Sequence, residues 1–184
     1  QAYAAAGRQF GILHIDAHAD LRQQYEGFKY SHASIMHNVL AIPQVSRIVQ
    51  VGIRDFCSAE AALMREHERI TAFTDGYINN ARCTGITWEA VCEDIVRGLP
   101  EQVYISFDID GLDPSLCPGT GTPVPGGLSF GDAVYLLGKL CDRGKKIIGF
   151  DLVETAVQQG SDWDAVVGAR LLYQLCCRAI VSMK

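Results

Sequence analysis

Apolar residues in this chain fall into short runs that end on Gly, Asp or a polar cluster, and these runs alternate with longer stretches of helical spacing. The runs at 10–16, 47–53, 102–108 and 146–151 are apolar enough to be covered on both faces, which predicts strands of a parallel sheet. Stretches 32–40, 58–69, 87–98, 129–141 and 163–181 predict helices, with Ser58, Thr87 and Ser129 placed as N-caps. Ser129 followed by Asp132 predicts a capping box with Asp in the Glu position. The polar stretch 75–85 predicts a loop. Strand and helix in this alternation define an α/β fold of three layers, a central parallel sheet between helices. The chain has no internal repeat and no low-complexity tract.

Composition narrows the partner class. With 184 residues and 48% hydrophobic content, the chain fits one domain over 1–184 with a sizeable core. A formal charge of −5 without a basic cluster argues against nucleic-acid and anionic-membrane surfaces, leaving a small-molecule partner. The longest apolar segment, 165–183, is interrupted by Arg170, Gln174 and Arg178 and reads as a core helix rather than a membrane span. Seven cysteines form no CxxC pair, which fits free packing thiols in a reducing cytoplasm.

Charged side chains collect where two of the runs end. HIDAHAD places Asp16, His18 and Asp20 after the first run, and SFDIDGLDPS places Asp108 and Asp110 two residues apart after the third. In an open parallel sheet, ligands gather beyond the carboxyl ends of the strands. If the two strands are neighbours, four carboxylates and an imidazole share one pocket. Such anions repel and take up protons unless a cation lies between them. An Asp at a strand end is otherwise a turn former or a cap, and it is the pairing of DxHxD with DxD that favours metal. An oxygen-rich set with one His suits Mn²⁺ better than the sulfur-rich sets of structural zinc, and Co²⁺ or Ni²⁺ also fit. Shared carboxylates would hold two ions about 3.5–4 Å apart, the arrangement that acidifies water near neutral pH. His14 reads as a packed or supporting residue rather than a ligand.

These residues resemble the ureohydrolase family, the dinuclear manganese enzymes that include arginase and agmatinase. The resemblance runs in family order through DAHAD at 16–20, SHAS at 31–34, VGIRD at 51–55, SFDIDGLDP at 106–114, GTGTPVPGG at 119–127 and the Glu of DLVE at 151–154. It implies hydrolysis of a guanidinium to urea and an amine. It also implies Asp16, His18, Asp20, Asp108 and Asp110 as metal ligands, with Asp16 and Asp108 bridging. Under it, His32 relays protons with solvent, Asp110 passes a proton to the departing amine, and Glu154 holds the guanidinium. The Gly-rich GTGTPVPGG lacks the GK[ST] ending of a P-loop and reads as a rigid pocket-lining loop. Trimers or hexamers are the oligomers the resemblance implies.

Three departures from the family pattern bear on function. The family takes a sixth ligand from a Gly-Gly-Asp-His-Ser motif upstream of DAHAD, and nothing in 1–15 matches it, so the chain reads as roughly the C-terminal two thirds of the family domain. Thr155, Ala156 and Val157 follow Glu154 where the family usually has a Pro. Arginase-type members hold the α-carboxylate of arginine with an Asn and its α-amino group with an Asp, where this chain has Arg22 and Cys57. Both changes point away from arginine, and DLRQQYEGFKYSHAS resembles bacterial agmatinases, so agmatine is the expected substrate, giving putrescine and urea. Arg22 would bind a carboxylate-bearing substrate such as 4-guanidinobutyrate in the competing reading. The resemblance is also compatible with formimidoylglutamase, arginase or guanidine hydrolase activity, and with a catalytically silent binding protein.

Overall fold

Strand β1 (Phe10–Ile15) lies at the centre of a five-stranded sheet, hydrogen-bonded to β2 (Val45–Val51) on one side and β4 (Gln102–Asp108) on the other. The computed structural model describes residues 5–156 and 159–183. The outer strands are β3 (Ile70–Phe73) beside β2 and β5 (Lys146–Val153) beside β4, and all four pairings are parallel. From β1 the chain builds outward to β3, then returns to lay β4 against the other edge of β1. That reversal makes a switch point between β1 and β4, where the strand ends leave a crevice.

Helices cover both faces. They are α1 (Ile35–Val39), α2 (Ser58–Glu66), α3 (Asp75–Cys83), α4 (Trp88–Arg97), α5 (Phe130–Asp142) and α6 (Trp163–Ser182). Along β1 the side chains alternate: Ile12 packs with Met36, Val45 and Ile48, whereas Leu13 and Ile15 join the larger cluster of Ile95, Val96, Leu136 and Leu171 on the opposite face. Two cores on one sheet give the three-layer architecture that the apolar runs predict.

Thr87 caps α4 by accepting the Ala90 N–H, and Ser129 with Asp132 forms the expected capping box at α5. Four local expectations are corrected. Residues 75–83 are helical, because Thr74 accepts the Tyr77 N–H as N-cap and Ile78 and Ala81 turn inward from an otherwise polar helix. The N-cap of α2 is Cys57 rather than Ser58, since Glu60 reaches back to the Cys57 N–H at 2.8 Å. Residues 32–40 divide into a 3-10 turn, His32–Ser34, and the short α1. Finally, α6 buries Val167, Leu171 and Leu175 but exposes Leu172, Tyr173 and Ile180, so only one face of it belongs to the core.

Candidate active site

The crevice at the switch point is a cavity of about 180 Å³, lined by Asp16, His18, Asp20, Arg22, His32, Asp108, Asp110 and Glu154, which are the site residues expected from the sequence. Backbone geometry brings the two acidic clusters together. A Cβ on Gly111 would stand 2.8 Å from the Asp16 nitrogen, so only glycine lets the loop after β4 lie against the loop after β1. Asp110 Oδ1 then accepts the Ala17 N–H at 3.0 Å, and Asp108 Oδ1 accepts the Asp110 N–H at 2.9 Å. The loop after β2 runs alongside, with the Arg54 and Asp55 N–H groups both donating to the Ala17 carbonyl.

His18 sits between the carboxylates, its Nδ1 3.1 Å from Asp110 and 3.3 Å from Asp16. Hydrogen bonds to Asp110 and Asp16 push its pKa up to about 10, so in the metal-free pocket the imidazolium is the local countercharge. The remaining carboxyls are less well compensated. Burial, then repulsion from Asp16 and Asp110, pushes Asp108 up to about 9, and burial with repulsion from Asp16 pushes Asp20 up to about 7. A buried acid cluster that is short of positive charge, with oxygen donors and one imidazole, fits a hard divalent cation.

His14 is tied up elsewhere. The Gln50 amide nitrogen donates to the Ala19 carbonyl at 2.7 Å and lies 3.0 Å from His14 Nδ1. With Ala19 fixing the amide's orientation, Nδ1 is an acceptor and Nε2–H points at Asp16 Oδ2, 2.9 Å away. Both ring nitrogens are therefore engaged, and the histidine orients Asp16.

Arg54, from the VGIRD stretch, knits three loops. Its guanidinium donates to the carbonyls of Gly52, Asp110, Leu112 and Val124 at 2.7–3.2 Å. A Cβ on Gly127 would fall 2.6 Å from the Leu112 carbonyl oxygen and 3.0 Å from Arg54, which accounts for a glycine at this φ of +99°. Lys in place of Arg54 loses the planar fork, so the four carbonyls it gathers, that of Val124 in the 119–127 loop among them, are no longer all paired. Arg54→Lys is expected to destabilise by about 1–3 kcal/mol and to speed nicking of that loop in limited proteolysis, with both read against the parent.

Around the mouth, the carbonyl of Asp20 accepts the Met36 and His37 N–H groups of α1, and the Ala33 carbonyl accepts the Arg22 N–H, which together anchor the 3-10 turn carrying His32 beside the pocket. The rings of His32 and Tyr25 meet edge to face at 5.4 Å. Glu154 directly follows β5 in a left-handed conformation, φ +58°, with its carbonyl accepting the Thr120 hydroxyl. Asp55 and Glu60, which carry no expected role from sequence, both belong to the site: Asp55 faces His18 at 3.9 Å and Glu60 is buried in the pocket wall. Asp113 instead turns away to accept the Ser115 N–H. Sequence reasoning misses Tyr25, Gln50, Arg54 and Thr122. Three of these lie inside family-like stretches, whereas the signal at Gln50 is a lone amide within the apolar run 47–53. Of the three residues after Glu154, Val157 lies outside the described residues.

A parallel α/β sheet with this acidic crevice between its central strands is a ureohydrolase fold. Within that class the chain belongs to the arginase family, whose family model matches residues 1–177. It is 38% identical over 173 residues to an N(1)-aminopropylagmatine ureohydrolase of Thermus thermophilus, covering 94% of this chain and 55% of that one. It is 32% identical to a guanidinobutyrase of Pseudomonas aeruginosa, covering 91% of this chain and 52% of that one. The agmatine ureohydrolase structure of Thermoplasma volcanium superposes with a TM-score of 0.79 at 27% identity, over 98% of this chain and 58% of that one. The chain thus spans about half the length of the curated relatives it matches.

Proposed function

We propose that the crevice hydrolyses a guanidinium to urea and an amine, with agmatine the preferred substrate and putrescine the amine released. The observation that carries this reading is the meeting of Asp16, His18, Asp20, Asp108 and Asp110 with His32 and Glu154 around one cavity. Asp16, His18, Asp20, Asp108 and Asp110 would hold two divalent ions, Mn²⁺ by the hardness of the donors, and these supply Lewis acidity that makes water a nucleophile.

The rest follows from side chains in the pocket. Glu154 orients the planar guanidinium through charge-assisted hydrogen bonds. Asp110, steadied by the Ala17 N–H, takes the proton of the attacking water and delivers it to the departing nitrogen. His32, at the mouth of the pocket, exchanges protons with solvent. We assign this activity to a homo-oligomer, trimer or hexamer, in a reducing cytoplasm, where seven free thiols are at home.

Arg22 in the pocket wall favours a second reading, with 4-guanidinobutyrate as substrate. The test is urea release by the intact protein, loaded with Mn²⁺, from agmatine, arginine and 4-guanidinobutyrate. Agmatine should lead; arginine in the lead, or no urea from a protein with two metals bound, defeats the proposal.

A further inference from the structure

We infer that Glu60 is a specificity-determining residue: it pairs with Arg22 in the pocket wall and withholds that cation from substrates whose tail ends in a carboxylate. The inference rests on the guanidinium-hydrolase reading above and decides between its two substrate classes, guanidino amines and guanidino acids.

Glu60 is 3% exposed, yet it lines the cavity. Both of its oxygens are fixed by backbone: Oε1 accepts the Leu21 N–H at 3.0 Å and Oε2 accepts the Cys57 N–H at 2.8 Å. These donors belong to the loops after β1 and β2, so the carboxylate cannot swing away without parting two strand ends. Arg22 meets it from the pocket side, Nε to Oε2 at 3.7 Å. The guanidinium also lies over the Tyr25 ring at 5.3 Å, and the Arg22 backbone N–H donates to the Ala33 carbonyl. Arg22, its side chain 41% exposed, thus has a fixed carboxylate and an aromatic ring as neighbours.

A helix-capping role alone does not explain this placement. Capping engages Oε2 alone, whereas Oε1 accepts the Leu21 N–H from another loop, and Gln, with a single acceptor oxygen, keeps one of the two bonds. Only an ionised carboxylate cancels the adjacent guanidinium's charge, and in a partly desolvated wall that cancellation is felt by anything bound there. Asp55, on the same cavity and 63% exposed, adds a second negative charge. With Arg22 offset by Glu60, the mouth is net anionic and suits an amine tail.

The test compares kcat/KM for 4-guanidinobutyrate and for agmatine within single preparations of the intact, metal-loaded protein, so that folded fraction and metal content cancel in the ratio. Glu60→Gln should raise the ratio of acid to amine about tenfold, equivalent to ~1.4 kcal/mol. Arg22→Gln alone should shift the ratio the opposite way, because it leaves the Glu60 charge uncompensated, and in the double variant the ratio should return to within about twofold of the parent's. An unchanged ratio in Glu60→Gln, or a gain that persists in the double variant, overturns the inference. The same ratio is read from calorimetric dissociation constants of the two ligands. Absence of turnover in the parent would therefore defeat the hydrolase reading while the binding ratios still decide the role of Glu60.

Discussion

Replacing Asp108 by Asn is expected to raise the stability of the metal-free protein while removing the divalent-metal binding proposed for the crevice, two effects of opposite sign from one atom change. In the metal-free pocket, burial and the neighbouring Asp16 and Asp110 hold the Asp108 carboxyl up to about 9. A folded-state pKa above the unfolded value, 3.8 here, means the folded protein must keep a proton that the unfolded chain releases. The resulting cost is absent below about pH 4 and grows as pH rises toward 9. Asn carries no such proton, so in chelator the melting temperature of Asp108→Asn should exceed the parent's at pH 8, with the gap closing toward pH 4. With Mn²⁺ the order reverses. Loss of a supporting partner of a ligand costs about 10–100-fold in metal affinity, and loss of a ligand carboxylate should cost more, with urea release falling about 10³-fold or further. Metal analysis of the dialysed protein and melting curves with and without Mn²⁺ check both halves. A variant that keeps two bound ions, or that melts below the parent in chelator at pH 8, contradicts this account of the pocket.

The acidic residues that line the crevice are legible in the sequence because their pattern is local. Asp16, His18 and Asp20 alternate on an extended segment, Asp108 and Asp110 do the same, and an apolar run before each marks a strand whose end must face solvent or a ligand. Only the adjacency of β1 and β4 had to be supplied by the fold. Elements whose identity depends on distant partners were not legible. Helix α3 has just Ile78 and Ala81 turned inward, and its first residue, Asp75, is fixed by accepting the Gly127 N–H from 52 positions away. Strand β3 is four residues long, too short for alternation to separate it from the helix before it. Glu60 lies 39 residues from the Leu21 it holds, and Arg54 reaches carbonyls 56 to 70 residues ahead, so neither role leaves a mark in any local window.

Glu154→Gln is expected to lower kcat/KM by about 10²-fold or more while leaving the melting temperature within the range of a surface change, about 0.5 kcal/mol. The side chain is exposed at the end of β5 and lines the cavity, so its loss uncovers no core. Its backbone is another matter. A non-glycine residue at φ +58° costs about 1–2 kcal/mol in steric strain, and here that conformation is held by the Thr120 hydroxyl on the Glu154 carbonyl. Glycine relieves the strain, so Glu154→Gly should be as stable as the parent or up to about 1 kcal/mol more stable, yet as inactive as the Gln variant or worse. A position where the activity-preserving residue is the strained one keeps its side chain for what that side chain binds. Melting curves set beside urea release from agmatine for the two variants test this directly. If Glu154→Gln keeps activity within tenfold of the parent, the guanidinium is held by another group; if Glu154→Gly melts well below the parent, the left-handed turn is not the source of strain that its geometry implies.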